Sequence, residues 1–322
     1  MLFSGAASDL HWHLWLPKRT RCENHLSRYR KVFYEQFIRI ENHQAGFVRP
    51  TDRGRLSQTL AGQVGAVTVI TSLQNPKIKL VHALVGRARE RREASAFVAE
   101  GVRLVEEAVN SNWDFRFVLY DASLNDRGSS LIEHLLARGI EVEEVSEHLL
   151  KSLSDTETPQ GILAVLTDTR LPIPESPNFI LIPDQIRDPG NLGTLLRSAA
   201  AAGVQAIFLP PETTDAFAPK VVRSGMGAHF RLPIHSMKWE RIRRETKDLQ
   251  VFLADMDGTS CWETDLRQPL ALIVGSEAEG ASDEARKLAT QKISIPMSGD
   301  MESLNAGVAG SVLMFEMVRQ RK

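Results

Sequence analysis

Short apolar runs recur along the chain from about residue 69, and segments with helical spacing separate them. An apolar run bounded by turn residues predicts a buried strand, whereas apolar residues three and four apart predict a helix. The elements predicted in this first part are 69–73, 76–92, 96–99, 101–110, 115–120, 130–137, 141–145 and 162–166. Strands that alternate with helices in this way predict an α/β layered domain over residues 67–169.

A second alternating series follows a proline-rich segment. Residues 170–177 contain three prolines, which favour an extended, semi-rigid linker. The elements predicted after it are 179–182, 192–202, 206–209, 219–224, 231–234, 239–247, 251–254, 270–274, 283–289, 293–295 and 303–319. Residues 178–322 therefore predict a mostly parallel sheet covered by helices, with a ligand beyond the carboxyl ends of its strands.

Chemistry-bearing residues follow the apolar run at 179–182. Asn191 stands at the start of a predicted helix, where unpaired backbone N–H groups attract a phosphate. Arg197 lies off the apolar stripe of this helix and can hold a phosphate through a two-pronged contact. The alternative is that Asn191 only caps the helix and Arg197 is a surface charge. The stripe consists of Leu192, Leu195, Leu196 and Ala199.

The last predicted helix contains two glycines, Gly307 and Gly310, among small residues. A glycine inside a helix costs roughly 1 kcal/mol relative to alanine. Close approach of another backbone or of a ligand is the usual reason for such a glycine. A tightly packed core helix is the alternative explanation.

Three segments in this order resemble the three motifs of the SpoU/TrmH-type RNA 2′-O-ribose methyltransferases, which belong to the trefoil-knotted SPOUT superfamily. The segments are 188–203, 274–280 and 293–322. The resemblance is strong over 178–322. It is weaker over 69–168, where it implies an L30e-like RNA-binding domain. The knot is implied by the resemblance and not by the periodicity, since knots are rare.

The resemblance also implies a cofactor, S-adenosylmethionine, and roles for individual residues. Gly275, Ile295 and Leu304 match the cofactor contacts of the family in their spacing, and Asn305 is placed with them. In the family the residue that matches Arg197 takes the proton of the ribose 2′-hydroxyl. Because arginine is effectively always protonated, a substrate phosphate could relay this proton, or Arg197 could only orient the nucleotide. The implied catalytic set is Asn191, Arg197, Glu277, Ser303 and Asn305.

Charge is distributed unevenly along the chain. The net charge is −1, but residues 1–68 carry ten Lys and Arg against five Asp and Glu. The remaining acidic part argues against non-specific coating of nucleic acid, yet it allows a local basic surface. Such a surface is predicted between residues 75 and 103, with a solvated helix face as the alternative. The RNA-binding candidates are Lys77, Arg89, Arg91, Arg92, Glu100 and Arg103.

Residues 1–66 are basic, lack periodicity and lie outside the resemblance. They favour an organellar transit peptide, for a chloroplast or a mitochondrion, although scattered acidic residues weaken this interpretation. A disordered basic arm, a wrongly assigned start of the coding sequence and a cytoplasmic location are the alternatives.

Other classes of protein lack support in the sequence. No apolar run approaches the 18 or so residues of a membrane span, and the two cysteines suggest neither a disulfide framework nor a metal site. We therefore predict methylation of a ribose 2′-hydroxyl in structured RNA, with ribosomal RNA favoured over transfer RNA by analogy. A homodimer through the C-terminal domain is also expected. The alternative is a non-catalytic RNA-binding or ribosome-assembly protein that retains the fold.

Overall fold

The computed structural model describes residues 69–277, 279–299 and 303–322. The predicted transit peptide, residues 1–66, lies outside the described residues. In the part that is described, no helix combines the length and the apolar character needed to cross a membrane. The same residues contain no group of three or more His, Cys, Asp or Glu side chains that could hold a metal ion.

The first part of the chain forms a four-stranded sheet in the order β1-β4-β2-β3. Strands β1 and β2 are both antiparallel to β4, and β3 is parallel to β2. Helices α3 and α4 cover one face of this sheet, while α1 and α5 cover the other. The elements are α1 (Pro76–Gly86), α2 (Ala88–Ala94), β1 (Ala96–Glu100), α3 (Val102–Asn110), β2 (Phe115–Tyr120), α4 (Asp126–Ala137), β3 (Val142–Glu144), α5 (Glu147–Leu153) and β4 (Ile162–Thr167).

The second part forms a six-stranded sheet, entirely parallel, in the order β10-β8-β9-β5-β6-β7. Its central strands β5 and β9 are buried along their whole length because helices cover both faces. The strands are β5 (Phe179–Pro183), β6 (Ala206–Leu209), β7 (Ile234–Ser236), β8 (Gln250–Ser260), β9 (Leu270–Val274) and β10 (Gln291–Ser294). The helices are α6 (Pro189–Ala202), α7 (Pro219–Gly225), α8 (Trp239–Glu245), α9 (Asp283–Leu288) and α10 (Ala306–Arg321).

The last helix returns from the edge of the sheet to its centre. Strand β10 is an edge strand, yet α10 packs on α6 and on the central strand β9. A Cβ atom on Gly310 would lie 2.4 Å from Leu195 Cδ2 and 3.2 Å from Val274 Cγ2. One on Gly307 would lie 3.2 Å from Thr194 Cβ. The two glycines therefore serve the packing of α10 inside one chain, as in the core-helix alternative.

Several predicted boundaries are wrong, and each has a local reason. Residues 69–73 contribute only a single bridge, Ile70 to Val145, instead of a strand. The helix predicted over 76–92 is divided at Arg87, whose backbone is extended. Helix α10 begins at Ala306 and not at Ser303, because the Asn305 side chain accepts a hydrogen bond from the Val308 N–H and caps the helix.

The two sheets are joined by direct packing and not by a free spacer. The Phe97 ring of β1 lies 5.0 Å from the Phe217 ring, and Trp113 lies 5.2 Å from Phe230. Phe230 and Val222, which precede β7, belong to the apolar core of the first sheet. The four-stranded sheet and the parallel sheet thus share apolar core residues, which orients one sheet relative to the other.

Arg91 strengthens this junction from the first domain. Its side chain is buried, and its Nη2 lies 2.6 Å from Asp215 Oδ2. Its Nη1 also donates to the Leu84 carbonyl at 2.6 Å. This placement contradicts the prediction that Arg91 binds RNA, because its guanidinium is occupied by the protein itself.

Replacing Arg91 with alanine should therefore lower the free energy of unfolding. Loss of a charged hydrogen bond that leaves the Asp215 carboxylate unpaired should cost about 1–2 kcal/mol, since that carboxylate keeps some contact with water. Urea unfolding followed by circular dichroism measures this. Arg92→Ala, an exposed neighbour, is the matched control, and equal stability of the two variants would contradict the proposed role of Arg91.

Candidate active site

A cavity of about 640 Å³ lies beyond the carboxyl ends of β8, β9 and β10. Parallel α/β sheets bind their ligands at this edge, as the sequence analysis predicts. Five of the predicted site residues line the cavity: Gly275, Glu277, Ile295, Ser303 and Leu304. Apolar walls come from Val274, Ile293, Ala309 and Leu313. The cavity thus combines an apolar interior with a polar mouth.

Glu277 organises the start of α10. One of its carboxylate oxygens, Oε1, accepts a hydrogen bond from the Ala306 N–H at 2.7 Å and another from Asn191 Nδ2 at 2.7 Å. The Asn191 Oδ1 in turn accepts from Asn305 Nδ2 at 2.8 Å. A carboxylate beside a helix N-terminus is stabilised by the unpaired N–H groups there. Three residues that are distant in sequence therefore form one hydrogen-bonded chain.

The N-terminus of α6 differs from the prediction. Asp188 is the capping residue, and its Oδ1 accepts from the Asn191 N–H at 2.8 Å. Asn191 is the third residue of the helix, which leaves its side chain available to Glu277 and Asn305. Because a carboxylate already occupies this helix end, the predicted attraction of a phosphate to it is not supported.

Gly275 is required by the chain itself. A Cβ atom there would lie 2.8 Å from the carbonyl of Gly280 and 2.8 Å from the Ala281 N–H nitrogen. Ser276 and Gly280 bridge each other through two backbone hydrogen bonds, which closes a tight turn at the end of β9. The glycine therefore permits the turn at the cavity, in addition to the cofactor contact that the resemblance implies for it.

Arg197 lies apart from the other predicted catalytic residues. It is exposed on α6, six residues beyond Asn191, which is about 9 Å along a helix axis. It lines a second cavity of about 280 Å³ together with Ala201, Met226 and Arg231. Among the residues that the structure describes, no carboxylate forms an ion pair with Arg197. Its guanidinium is thus available to an external anion.

Two more of the RNA-binding candidates are engaged within the protein. Lys77 Nζ lies 2.6 Å from carboxylate oxygens of both Glu141 and Glu143. Glu100 accepts hydrogen bonds from Ser154, Thr156 and Arg223, and only 9% of its side chain is exposed. Their charges are compensated within the protein, and their role as RNA contacts stays a prediction.

Arg89, Arg92 and Arg103 are exposed, as predicted for a basic surface. Arg89 forms an ion pair with Glu93, one turn along α2. Such exposed pairs contribute little and exchange readily with other partners. These three arginines are the RNA-binding candidates of this domain whose side chains are exposed.

Sequence analysis missed three charged residues near the main cavity. Asp184 follows β5 and is fully buried, with its Oδ2 accepting from the Ser282 N–H at 2.6 Å. Burial raises the pKa of Asp184 above its ordinary value, although the Ser282 hydrogen bonds oppose this shift. Asp255 and Arg286 line the cavity directly. The sequence could have indicated Asp255 by its position directly after the apolar run 251–254, and Arg286 by its position on the helix after β9.

Comparison with known proteins assigns this architecture to a family. Residues 178–315 match the model of the SpoU rRNA methylase family, and residues 75–164 match that of the MRM3-like substrate binding domain. The 23S rRNA (guanosine(2553)-2'-O)-methyltransferase RlmP of Bacillus subtilis is 33% identical over 77% of this chain and 98% of its own length. The chain belongs to the SpoU rRNA methylase family.

Other members of the SpoU family agree with this assignment. The 23S rRNA (uridine(2479)-2'-O)-methyltransferase of Streptomyces viridochromogenes is 32% identical over 78% of this chain and 92% of its own length. The crystal structure of an AdoMet-bound rRNA methyltransferase from Sinorhizobium meliloti has 32% identity and a TM-score of 0.69. The match covers 79% of this chain and 98% of the length of that structure. The predicted α/β fold, with the knotted parallel sheet of the SpoU enzymes, is confirmed.

The cofactor of this SpoU protein is S-adenosylmethionine. The cavity suits it, because Val274, Ile293 and Leu313 offer apolar walls to an adenine ring while charged groups lie at another part of the lining. Gly275, Ile295 and Leu304 lie together in this lining, as their spacing in the sequence suggested. Asn305 lies outside it, within the Asn191–Glu277 hydrogen-bonded chain.

Proposed function

We propose that this protein transfers a methyl group from S-adenosylmethionine to a ribose 2′-oxygen of ribosomal RNA. The observation that carries the proposal is the junction of the cofactor cavity with the Glu277–Asn191–Asn305 chain of hydrogen bonds at one edge of the sheet. The curated relatives described above act on 23S rRNA, and they support ribosomal RNA as the substrate.

When bound, S-adenosylmethionine supplies an electrophilic methyl group on a sulfonium. Gly275, in the turn after β9, and Ile295 and Leu304, between β10 and α10, would hold the cofactor. Glu277 fixes the start of α10 relative to the turn, since it binds the Ala306 N–H directly. Asn191 and Asn305 fix α6 against α10 at the same point, and they present amide groups that can orient the acceptor nucleotide.

Arg197 binds a phosphate of the nucleotide that carries the acceptor hydroxyl. An exposed guanidinium binds a phosphate with two parallel hydrogen bonds and sets the direction of the attached ribose. The same phosphate can accept the proton of the 2′-hydroxyl, whereas the guanidinium itself remains protonated. Arg197 therefore positions the nucleotide and stabilises charge.

Transfer of radiolabelled methyl groups tests the proposal. The full chain is incubated with labelled S-adenosylmethionine and with total RNA from cells that lack the protein, and ribose methylation is then mapped. We expect label at a ribose of large-subunit ribosomal RNA. Tight binding of ribosomal RNA without any transfer would support an assembly factor instead, and labelled transfer RNA would correct the substrate.

We further propose that two copies pair through the exposed face of α10. Val308 and Phe315 are 47% and 48% exposed, and they lie two turns apart on the same side of the helix. Large apolar side chains exposed in this arrangement are typical of an interface. The proposal depends on these two residues, because Gly307 and Gly310 of α10 pack against α6 within the chain.

The double variant Val308→Glu and Phe315→Glu should be monomeric. Two carboxylates on facing copies of one surface repel each other and resist burial. Analytical ultracentrifugation of wild type and variant at micromolar concentration measures the change. Leu136→Glu, an exposed apolar residue of α4, is the control and should leave the mass unchanged. A monomeric wild type would contradict the proposal.

A further inference from the structure

One wall of the cofactor cavity is formed by an arch in strand β8. Lys292 of β10 pairs with Leu253, but the next residue, Ile293, pairs with Thr259. The residues between, 254–258, therefore have no partner in β10, although Ala254 still pairs with Val274 of β9. Asp255, Met256 and Asp257 of this arch line the cavity.

Opposite charges meet at this wall. Arg286 of α9 lines the cavity, and its Nη1 lies 3.4 Å from Asp255 Oδ2. Its Nε donates to the Ala281 carbonyl at 3.2 Å, which holds the side chain in place. Of the described residues that line the cavity, Arg286 alone is basic. A ligand carboxylate in this cavity has no other cationic side chain to meet.

Asp255 is the complementary anion. Its side chain is only 16% exposed, and Lys292 Nζ approaches its Oδ2 to 2.9 Å. Burial raises the pKa of Asp255, but the hydrogen bonds from Lys292 and from the Asp257 N–H, with the charges of Lys292 and Arg286, outweigh this effect and keep it below the ordinary value. The group is therefore a carboxylate at neutral pH. Glu277, another acid of the lining, is already committed to Ala306 and Asn191.

S-adenosylmethionine carries an ammonium and a carboxylate on the same carbon atom of its amino-acid end. We propose that Asp255 binds this ammonium and that Arg286 binds this carboxylate. The two side chains are neighbours of opposite charge, as the two ligand groups are, and each ligand group then meets its counter-charge. The adenosine end is left to the apolar walls near Gly275, Ile295 and Leu304.

The proposal rests on the cofactor assignment and adds the orientation of the cofactor. The competing placement puts the ribose hydroxyls of the adenosine on Asp255, since carboxylates also accept hydrogen bonds from hydroxyl groups. A third placement puts the amino-acid end near Ser303, on the α10 side of the cavity. Ligands that lack the carboxylate alone, or the whole amino-acid end, distinguish these possibilities when they are tested on variants of Asp255 and Arg286.

Calorimetric titration of the full chain with three ligands tests the orientation. S-adenosylhomocysteine has both amino-acid charges, decarboxylated S-adenosylmethionine lacks the carboxylate, and methylthioadenosine lacks the whole amino-acid end. Wild type should bind S-adenosylhomocysteine about 10-fold or more tightly than methylthioadenosine, because charged hydrogen bonds contribute about this much each. Equal affinities would overturn the proposal without any variant.

Two variants then assign the groups. Arg286→Gln should weaken the binding of S-adenosylhomocysteine by about 10- to 100-fold. Its affinities for decarboxylated S-adenosylmethionine and for methylthioadenosine should be unchanged. Asp255→Asn should weaken the binding of both ligands that carry the ammonium and leave the affinity for methylthioadenosine unchanged. Lys287→Gln, the exposed neighbour on α9, is the matched control.

Unchanged binding of methylthioadenosine also reports an intact cavity, so misfolding cannot mimic the expected result. Equal losses for methylthioadenosine and S-adenosylhomocysteine in Asp255→Asn would place the ribose on Asp255 and overturn the proposal. Unchanged binding of S-adenosylhomocysteine in both variants would place the amino-acid end elsewhere. Failure of wild type to bind all three ligands would instead refute the cofactor assignment itself.

Discussion

Replacing Arg197 with alanine should lower the rate of methyl transfer by a factor of about 10²–10⁴, the range that a positioned proton-transfer or charge-stabilising group contributes. The side chain is exposed and forms no ion pair with the described residues, so its removal should leave the free energy of unfolding unchanged. It also lies outside the cofactor cavity, so binding of S-adenosylhomocysteine should be retained. Single-turnover transfer to RNA, measured beside calorimetric titration, separates the two effects.

Arg197→Lys should also fail, because an ammonium cannot reproduce the planar, two-pronged contact with a phosphate. Arg243→Ala is the control for loss of one exposed arginine, since Arg243 lies on α8 at the opposite face of the sheet from α6. Full activity of Arg197→Lys would show that only positive charge is needed there. Full activity of Arg197→Ala would remove the residue from the mechanism altogether.

Gly193→Ala should be the most destabilising single methyl addition that we propose. A Cβ atom at Gly193 would lie 2.3 Å from Ser224 Cβ and 2.9 Å from the Val221 carbonyl oxygen. Because these are backbone or backbone-adjacent atoms of α7, helices α6 and α7 would have to separate. We expect a loss of about 3 kcal/mol, at the upper end of ordinary overpacking, which lowers Tm by roughly 6–12 °C for a domain of this size.

Thermal unfolding measured by calorimetry tests this expectation. Gly86→Ala is the matched control, because a Cβ atom there would meet nothing within 4 Å. A Gly193→Ala protein with the Tm of the control would show that α6 and α7 do not approach closely. Since α6 also carries Asn191 and Arg197, a soluble Gly193→Ala variant should lose activity more steeply than its stability alone predicts.

The junction between the two sheets bears on how RNA is presented to the site. Arg223 of α7 reaches Glu100 of β1 and Asp155 at 3.3 Å each, and Arg231 pairs with Glu107. Helix α7 contacts α6 at Gly193. The first domain is thereby attached to the helix that carries Arg197. This attachment sets the distance between Arg197 and any RNA that the first domain binds.

Three interior strands were predicted accurately from the sequence, whereas the segments 69–73, 231–234 and 251–254 were not. The bounds 115–120, 206–209 and 270–274 agree with β2, β6 and β9 residue for residue. A run of apolar residues that ends in turn-forming residues leaves little choice of position, because each of its side chains needs a place in the core. The apolar stripe of α6 was also confirmed, for the same reason.

Helix starts and charged residues were predicted less well. A helix can begin at any of several polar residues, and the choice of Asn305 over Ser303 depended on which side chain reached the free N–H groups. Arg91 and Glu100 lie in a highly charged segment that is typical of a protein surface, yet each forms an ion pair with a residue more than a hundred positions away. Local sequence contains no information about such partners.

The resemblance of three ordered motifs to the SpoU/TrmH-type enzymes predicted the family, the cofactor and the reaction, because each motif is local in sequence. The match to the SpoU family model confirmed the family. The convergence of Asn191, Glu277 and Asn305 was decided by the tertiary structure. Residues 191 and 277 are 86 positions apart, and they meet only because parallel strands bring their carboxyl ends to one edge. The same edge joins Asp255 to Arg286, a pair that no local pattern marked, since a hydrogen bond between distant residues depends on the path of the whole chain.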